Sequence, residues 1–204
     1  DLPNGEHKSD WFIRLNPEHC VPTLTDRHGP LWESRAILLH LMASAGQHTA
    51  AQRTQQLMGS LEPLGNVAAH VLRALFWDAQ TLYPAIAKFL YPQLFGNVVA
   101  TDLSAERATL DEALATLQQQ IITSRQRTGR RHSMWVCGSE EPTVADLAIS
   151  MSLTMLRFVP DVLDAHAGIK TYVDRVAWRF EPHWSSVNEG LDEWLASTEL
   201  RSKH

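Results

Sequence analysis

The chain has 204 residues, 44% of them hydrophobic, and a formal net charge of −5. That length allows one large domain or two small ones with a sizeable core. The acidic balance argues against nucleic acid as the main partner, no apolar run reaches the length of a membrane span, and no cationic leader precedes an apolar stretch. In chain order, Asn4-Gly5 is a turn signal and Ser9 to Ile13 can open a short helix. Val21 to Thr25 reads as a strand, Arg27-His28-Gly29 as a turn and Leu31-Trp32 as a second strand. Ser34 is expected to cap a helix whose pairs Ile37/Leu41 and Leu38/Met42 sit four apart. Ala43 to Thr54 is small and polar, and the linker is expected there.

Helices are expected to succeed one another after the linker. Val67, Val71, Leu72, Leu75 and Phe76 form one apolar stripe. Leu110, Leu114, Leu117 and Ile121 form another, behind Ser104 as N-cap and Glu106 in the first turn. The basic run Arg125 to Arg131 has no interleaved aromatics and is expected to be a solvated loop. Thr143-Val144-Ala145-Asp146 has the spacing of a capping box, and Leu147 to Phe158, apolar or small nearly all round, should be a buried central helix. Lys170 to Phe180 and Val187 to Leu195 complete the helical set.

Two places carry recognisable chemistry. Pro22 cannot donate a ladder hydrogen bond, so the strand ends or bends at Val21-Pro22. Glu33-Ser34-Arg35 lies where a strand meets a helix. The free amides and partial positive charge of a helix start suit a carboxylate, Ser34 adds a hydroxyl, and Glu33 offers a charge for an ammonium group. Such a set can receive a zwitterion; equally, Ser34 can simply cap its helix while Glu33 stays solvated. No His/Cys/Asp spacing resembles a metal site. Cys20 and Cys137 do not make a disulfide framework, and a reducing cytosol is the expected compartment.

The stretches Leu15-Asn16-Pro17-Glu18-His19-Cys20-Val21-Pro22-Thr23-Leu24 and Leu31-Trp32-Glu33-Ser34-Arg35-Ala36-Ile37 resemble the glutathione-binding half of a cytosolic glutathione transferase, closest to the arthropod Delta class. Leu75-Phe76-Trp77-Asp78, Thr81-Leu82-Tyr83, Tyr91 to Phe95, Trp135 to Gly138 and Thr143 to Asp146 continue the likeness. The resemblance implies an α+β chain: a thioredoxin-like lobe, N-terminally incomplete, over residues 1–46, then an all-α domain over 52–204. It implies glutathione as co-substrate, a small hydrophobic electrophile as second substrate, a cytoplasmic homodimer, and neither metal, nucleic acid nor membrane as partner. His7, His19, Val21, Pro22, Glu33, Ser34 and Arg35 occupy family positions that hold glutathione. Pro22 is cis in the family, and the backbone of the residue before it pairs with the cysteinyl unit. Asp78 is implied to reach across the dimer to the partner's glutathione, and Tyr83, Ile86, Tyr91 and Phe95 to line the electrophile pocket. Pro84 interrupts that helix and should kink it. Cys20 aligns with a non-catalytic position and reads as a structural thiol.

In the family a strand, a helix and a second strand precede this point, and the first strand–helix junction carries the Ser or Tyr that activates glutathione. Asp1 falls roughly where that second strand would end, and a chain opening on Asp implies a longer primary product. No catalytic residue is therefore assigned within 1–204. Two readings are open: a glutathione transferase whose activating segment lies upstream, or a truncated relative that binds or scaffolds without catalysis. Within residues 1–204 alone, the edge beside Val21 to Thr25 is expected to lack the neighbour that the family's first strand provides.

Overall fold

The computed structural model describes residues 4–45, 66–95, 102–129 and 133–197. The chain divides into two compact units, Asp1–Leu57 and Met58–His204. The expected linker lies largely outside the described residues.

The first unit opens with a 3-10 turn, Glu6–Lys8, and helix α1, Asp10–Leu15, which starts where Ser9 predicts. Strands β1 (Thr23–Asp26) and β2 (Gly29–Trp32) form an antiparallel hairpin in which Asp26 faces Gly29. Arg27 and His28 make its two-residue loop. Asp26 Oδ1 accepts the His28 N–H at 2.7 Å, a local bond that favours a turn over a longer strand. Gly29 has φ +104°, which suits a residue without Cβ. β1 begins two residues later than expected, because Pro22 brings no ladder donor. Helix α2 spans Ser34–Ala45. Its first backbone bond runs from Ile37 N–H to the Glu33 carbonyl at 2.9 Å, so Glu33, not Ser34, is its cap. Glu33 stands at φ +71° and turns the chain directly out of β2 into the helix.

The second unit is helical. Helix α3 (Asn66–Trp77) runs through a π turn (Asp78–Leu82) into α4 (Tyr83–Phe95). The expected kink at Pro84 takes this form. Pro84 has no N–H for the carbonyl four residues back, and the wider turn is closed instead by Tyr83 N–H on the Asp78 carbonyl. On α3 the inward face is Ala68, Val71, Ala74 and Leu75, whereas Leu72 and Phe76, expected in the stripe, are exposed. Helix α5 (Ser104–Thr128) buries Leu110, Leu114, Leu117 and Ile121 as expected. Its cap residue is Leu103, not Ser104, because the Asp102 side chain already takes the Ser104 N–H at 3.0 Å. The basic run proves helical through Thr128. Arg and Gln are good helix formers, cations are favoured in a last turn, and Gly129, at φ +67°, supplies the left-handed stop.

Helix α6 (Val144–Thr154) and the 3-10 turn Met155–Phe158 form the buried centre. α6 packs against α3, α4 and helix α8 (Ala167–Phe180), which comes after the short α7 (Pro160–Ala165). Helix α9 (His183–Ser197) packs on α8. The capping box forms as its spacing predicts. The buried Asp146 carboxylate accepts from Thr143 N–H (2.8 Å), Thr143 Oγ1 (2.9 Å), Val136 N–H (2.8 Å) and Tyr172 Oη (2.9 Å). One side chain thereby pins the loop before α6, the α6 start and α8.

Candidate functional site

The loop between α1 and β1 is built around Asn16, which is fully buried. Its Nδ2 donates to the Cys20 carbonyl and Thr23 Oγ1, each at 3.0 Å, and approaches Cys20 Sγ at 3.4 Å. Its Oδ1 accepts the Glu18 N–H at 3.0 Å, and its carbonyl accepts the His19 N–H at 2.9 Å. Five bonds to one residue fix a loop whose surface is otherwise exposed. Asn16 was not singled out from the sequence. The available signal was a buried-type role for the Asn of Asn16-Pro17, which a reading by surface chemistry passes over.

On that loop the Val21-Pro22 bond is cis, and both residues are exposed. His19 is exposed with φ +42°, an uncommon conformation for a residue with a Cβ. The loop faces the start of α2: a carboxylate oxygen of Glu18, Cys20 Sγ and a carboxylate oxygen of Glu33 lie within 4.8 Å of one another. These three could offer donors to a cation, an arrangement that their spacing in sequence does not announce. With both carboxylates exposed, the place is foremost a concentrated negative charge, suited to an ammonium group. Beside it, Arg35 Nη1 donates to Ser34 Oγ at 2.9 Å, and both side chains are half-buried. The structure thus brings Val21, Pro22, Glu33, Ser34 and Arg35 into one lobe around the Cys20 loop. His7 lies on the 3-10 turn before α1, half-buried, with Nδ1 shielded from solvent and no hydrogen-bond partner among the described residues.

The second set lies in the helical unit. The π turn directs Leu82 inward, and α4 directs Ala85, Ile86, Phe89 and Leu90. Ile86, expected to line a pocket, is 1% exposed and belongs to the core, because it shares the inner face with Leu82 and Leu90. Asp78, expected to reach another subunit, is 0% exposed and opens the π turn inside its own unit. Tyr83, Tyr91 and Phe95 do share a side. The Tyr83 and Tyr91 hydroxyls meet at 2.6 Å, and the Tyr91 and Phe95 rings contact edge to face at 5.6 Å. Burial, then the bond to Tyr83, pushes the Tyr91 hydroxyl well above its ordinary pKa, so it stays neutral. Two residues extend this wall. Trp194 of α9 stacks on Phe95 at 6.0 Å and meets Phe158 edge to face at 4.6 Å, and an Arg157–Asp192 ion pair ties the same segments. Neither aromatic was expected there, since their contacts span long sequence separations.

A cis-Pro loop facing a Glu-Ser helix start, in a lobe followed by an all-helical unit, is the architecture of the glutathione transferases. Residues 1–43 match the family described as Glutathione S-transferase, N-terminal domain. A delta-class glutathione transferase of Nilaparvata lugens superposes with a TM-score of 0.78 at 27% identity, over 100% of this chain and 85% of that one. The Bombyx mori transferase BmGSTD1, in complex with GTT, gives 0.77 at 27% identity, over 97% of this chain and 82% of that one. Ure2p in complex with glutathione shares the fold, with a TM-score of 0.73 at 20% identity, over 91% of this chain and 82% of that one. The likeness to the delta class of glutathione transferases thus extends over the whole chain. Among the described residues no helix is long and apolar enough to cross a membrane.

Proposed function

We propose that this protein binds glutathione on its N-terminal lobe and acts as a cytoplasmic glutathione transferase, joining the thiolate of glutathione to small hydrophobic electrophiles. The observation that carries the reading is the approach of the Cys20 loop to Glu33, which sets Val21-Pro22 beside a Glu-Ser-Arg helix start. Glu33 and Glu18 take the ammonium of the γ-glutamyl unit, while Ser34 and the first amides of α2 take its carboxylate. The Val21 backbone pairs with the cysteinyl unit as an added strand would, and His7 and His19 serve the glycine carboxylate. Tyr83, Tyr91, Phe95 and Trp194 give an apolar wall with one polar spot for the electrophile. A free thiol has a pKa of about 8.5, so conjugation at neutral pH needs a donor that favours the thiolate, and no residue of 1–204 is assigned that role. Leu72 and Phe76, exposed one turn apart on α3, supply apolar surface for a homodimer.

The test is calorimetry with glutathione. Ser34→Ala removes a hydrogen bond to a charged group, worth about 1.5–3 kcal/mol, so affinity should fall by roughly tenfold or more. An unchanged affinity would remove Ser34 and its helix start from the site. Glutathione binding with no conjugation of any model electrophile, even with an activating segment restored upstream, would favour a binding protein instead.

A further inference from the structure

The outer side of α4 meets rings from α9 and from the 3-10 turn Met155–Phe158, and the wall they make lies wholly within the helical unit. Phe95 is 66% exposed and Tyr91 36%, so both rings are open to a ligand. Behind them Trp194 is held between Phe95 and Phe158, and the Arg157–Asp192 ion pair beside it is closed on itself. The polar point of this wall is the Tyr83–Tyr91 pair, whose hydroxyl oxygens are 2.6 Å apart. Two hydroxyls carry two protons, and the bond between them uses one. With Tyr83 as donor, the Tyr91 O–H is left over at the more exposed end of the pair. A hydroxyl that accepts one bond also becomes a better donor of another, because linked hydrogen bonds polarise each other. Two phenylalanines would build the same wall with no hydroxyl to satisfy, so packing alone does not call for the pair.

We propose that the Tyr91 hydroxyl donates a hydrogen bond to the carbonyl oxygen of an aryl enone, and that such Michael acceptors are the electrophiles this wall selects. The inference deepens the transferase reading above and rests on the wall being the electrophile's place. The aryl ring lies on Phe95, where contact between rings adds to the burial of area. Tyr91 stands 5.6 Å away, ring centre to ring centre, a span that a short conjugated arm covers. The addition has no leaving group. The glutathione thiolate forms a C–S bond to the β-carbon, the C=C pair shifts toward the carbonyl, and the carbonyl oxygen gains the charge of an enolate. The bond from Tyr91 tightens as that charge grows, which favours the transition state over the bound enone. Burial, then the bond to Tyr83, holds the Tyr91 proton in place. The enolate therefore collapses by taking a proton from water at the α-carbon, and the C=O is restored. A benzyl halide expels its halide without charging an oxygen and gains nothing from Tyr91.

The experiment uses the full chain without glutathione and an unreactive stand-in, benzylacetone, which keeps the aryl ring and carbonyl of an enone but lacks its C=C. The comparison ligand is its methylene isostere, in which CH2 replaces the carbonyl oxygen. Both are titrated by tryptophan fluorescence, since Trp194 is part of the wall. The ketone should bind saturably, and Tyr91→Phe should weaken it by roughly two- to tenfold, the worth of one neutral hydrogen bond. The isostere should bind Tyr91→Phe no more weakly than it binds the parent chain. Infrared difference spectra should place the carbonyl stretch of the bound ketone at lower frequency in the parent chain than in Tyr91→Phe. Tyr83→Phe keeps the Tyr91 O–H and should lose less. Each change removes one oxygen from a partly exposed ring, and an unchanged melting curve shows that the variants are folded. Equal losses for ketone and isostere, no saturable ketone binding, the same carbonyl stretch in both chains, or a larger loss from Tyr83→Phe would overturn the proposal. Because glutathione is absent from these titrations, a chain that holds the ketone through Tyr91 yet takes no glutathione would overturn the transferase reading alone.

Discussion

Replacing Asp146 with Ala should separate stability from chemistry. The substitution strips four hydrogen bonds from one carboxylate and leaves Val136 N–H, Thr143 N–H and Tyr172 Oη buried without it. Each unsatisfied buried donor costs about 1–3 kcal/mol. Against that, the variant no longer buries a charge, a relief of several kcal/mol. Set against each other, these leave a net loss of about 1–4 kcal/mol, a sizeable share of a typical stability of about 5–15 kcal/mol. At about 2–4 °C per kcal/mol for a chain of this size, the melting temperature should drop by roughly 5–10 °C. Asp146→Asn keeps one acceptor and should lose less. Burial, the dominant influence, raises the Asp146 pKa above its ordinary 3.8. The folded state then holds the proton longer than the unfolded one, so this group's contribution falls as pH rises upward from 3.8, and that slope should vanish in Asp146→Ala. Urea and thermal unfolding across pH measure all of this. A loss under about 1 kcal/mol, or a collapse of glutathione binding per folded molecule with stability intact, would refute the structural role.

Asn16→Ala should weaken glutathione binding more than it lowers the melting temperature of the helical unit, because the four side-chain bonds it removes shape only the Cys20 loop; calorimetry beside thermal unfolding tests the split. Burial, then the Asp146 charge, pushes the Cys137 thiol up to about 12, so iodoacetamide at neutral pH should label Cys20 and spare Cys137 until the chain is unfolded. Burial alone would raise the Asp111 carboxyl, but its bonds to His166 and Arg107 overcome this and hold it below 3.8. Its stabilisation is present above the unfolded value and fades as pH falls through the folded one, so Asp111→Asn should flatten the acid limb of the stability curve. Sedimentation should give about twice the 23.0 kDa chain mass, and Phe76→Glu should shift it toward the single chain.

Local signals reached the structure where one residue's chemistry decides the outcome. Thr143 and Asp146 announced their box through a fixed three-residue spacing. Signals failed where two residues competed for one role. Ser34 and Ser104 both have the composition of caps, yet Glu33 and Leu103 hold those positions, because the preceding chain had already turned or capped itself. On α3 the bulk of Leu72 and Phe76 outweighed the small Ala68 and Ala74 in the pattern, although the alanines let the helix approach its neighbours. Of the candidate sites, the approach of the Val21-Pro22 loop to the Glu33-Ser34-Arg35 helix start was legible because its words are contiguous. Trp194 and Phe158 were not, because residues far apart in the chain meet there only through helix packing.

The π turn at Asp78–Leu82 works as a phase shifter. A π turn carries one residue more than an α turn, and each residue added to or removed from a helix rotates the remainder of that helix by about 100°. With the insertion in place, Ile86 and Leu90 point to the core while Tyr83, Tyr91 and Phe95 share the outer wall. Winding the same sequence without the π turn would rotate α4 by about 100°, swing the tyrosine pair toward the core and carry Ile86 out of it. Deleting any one of Ala79, Gln80 or Thr81 would instead remove the extra residue together with its turn, and the faces of α4 would stay where they are. The π turn therefore lets this helix hold one residue more than a plain α helix while the same side chains keep to the core and to the wall.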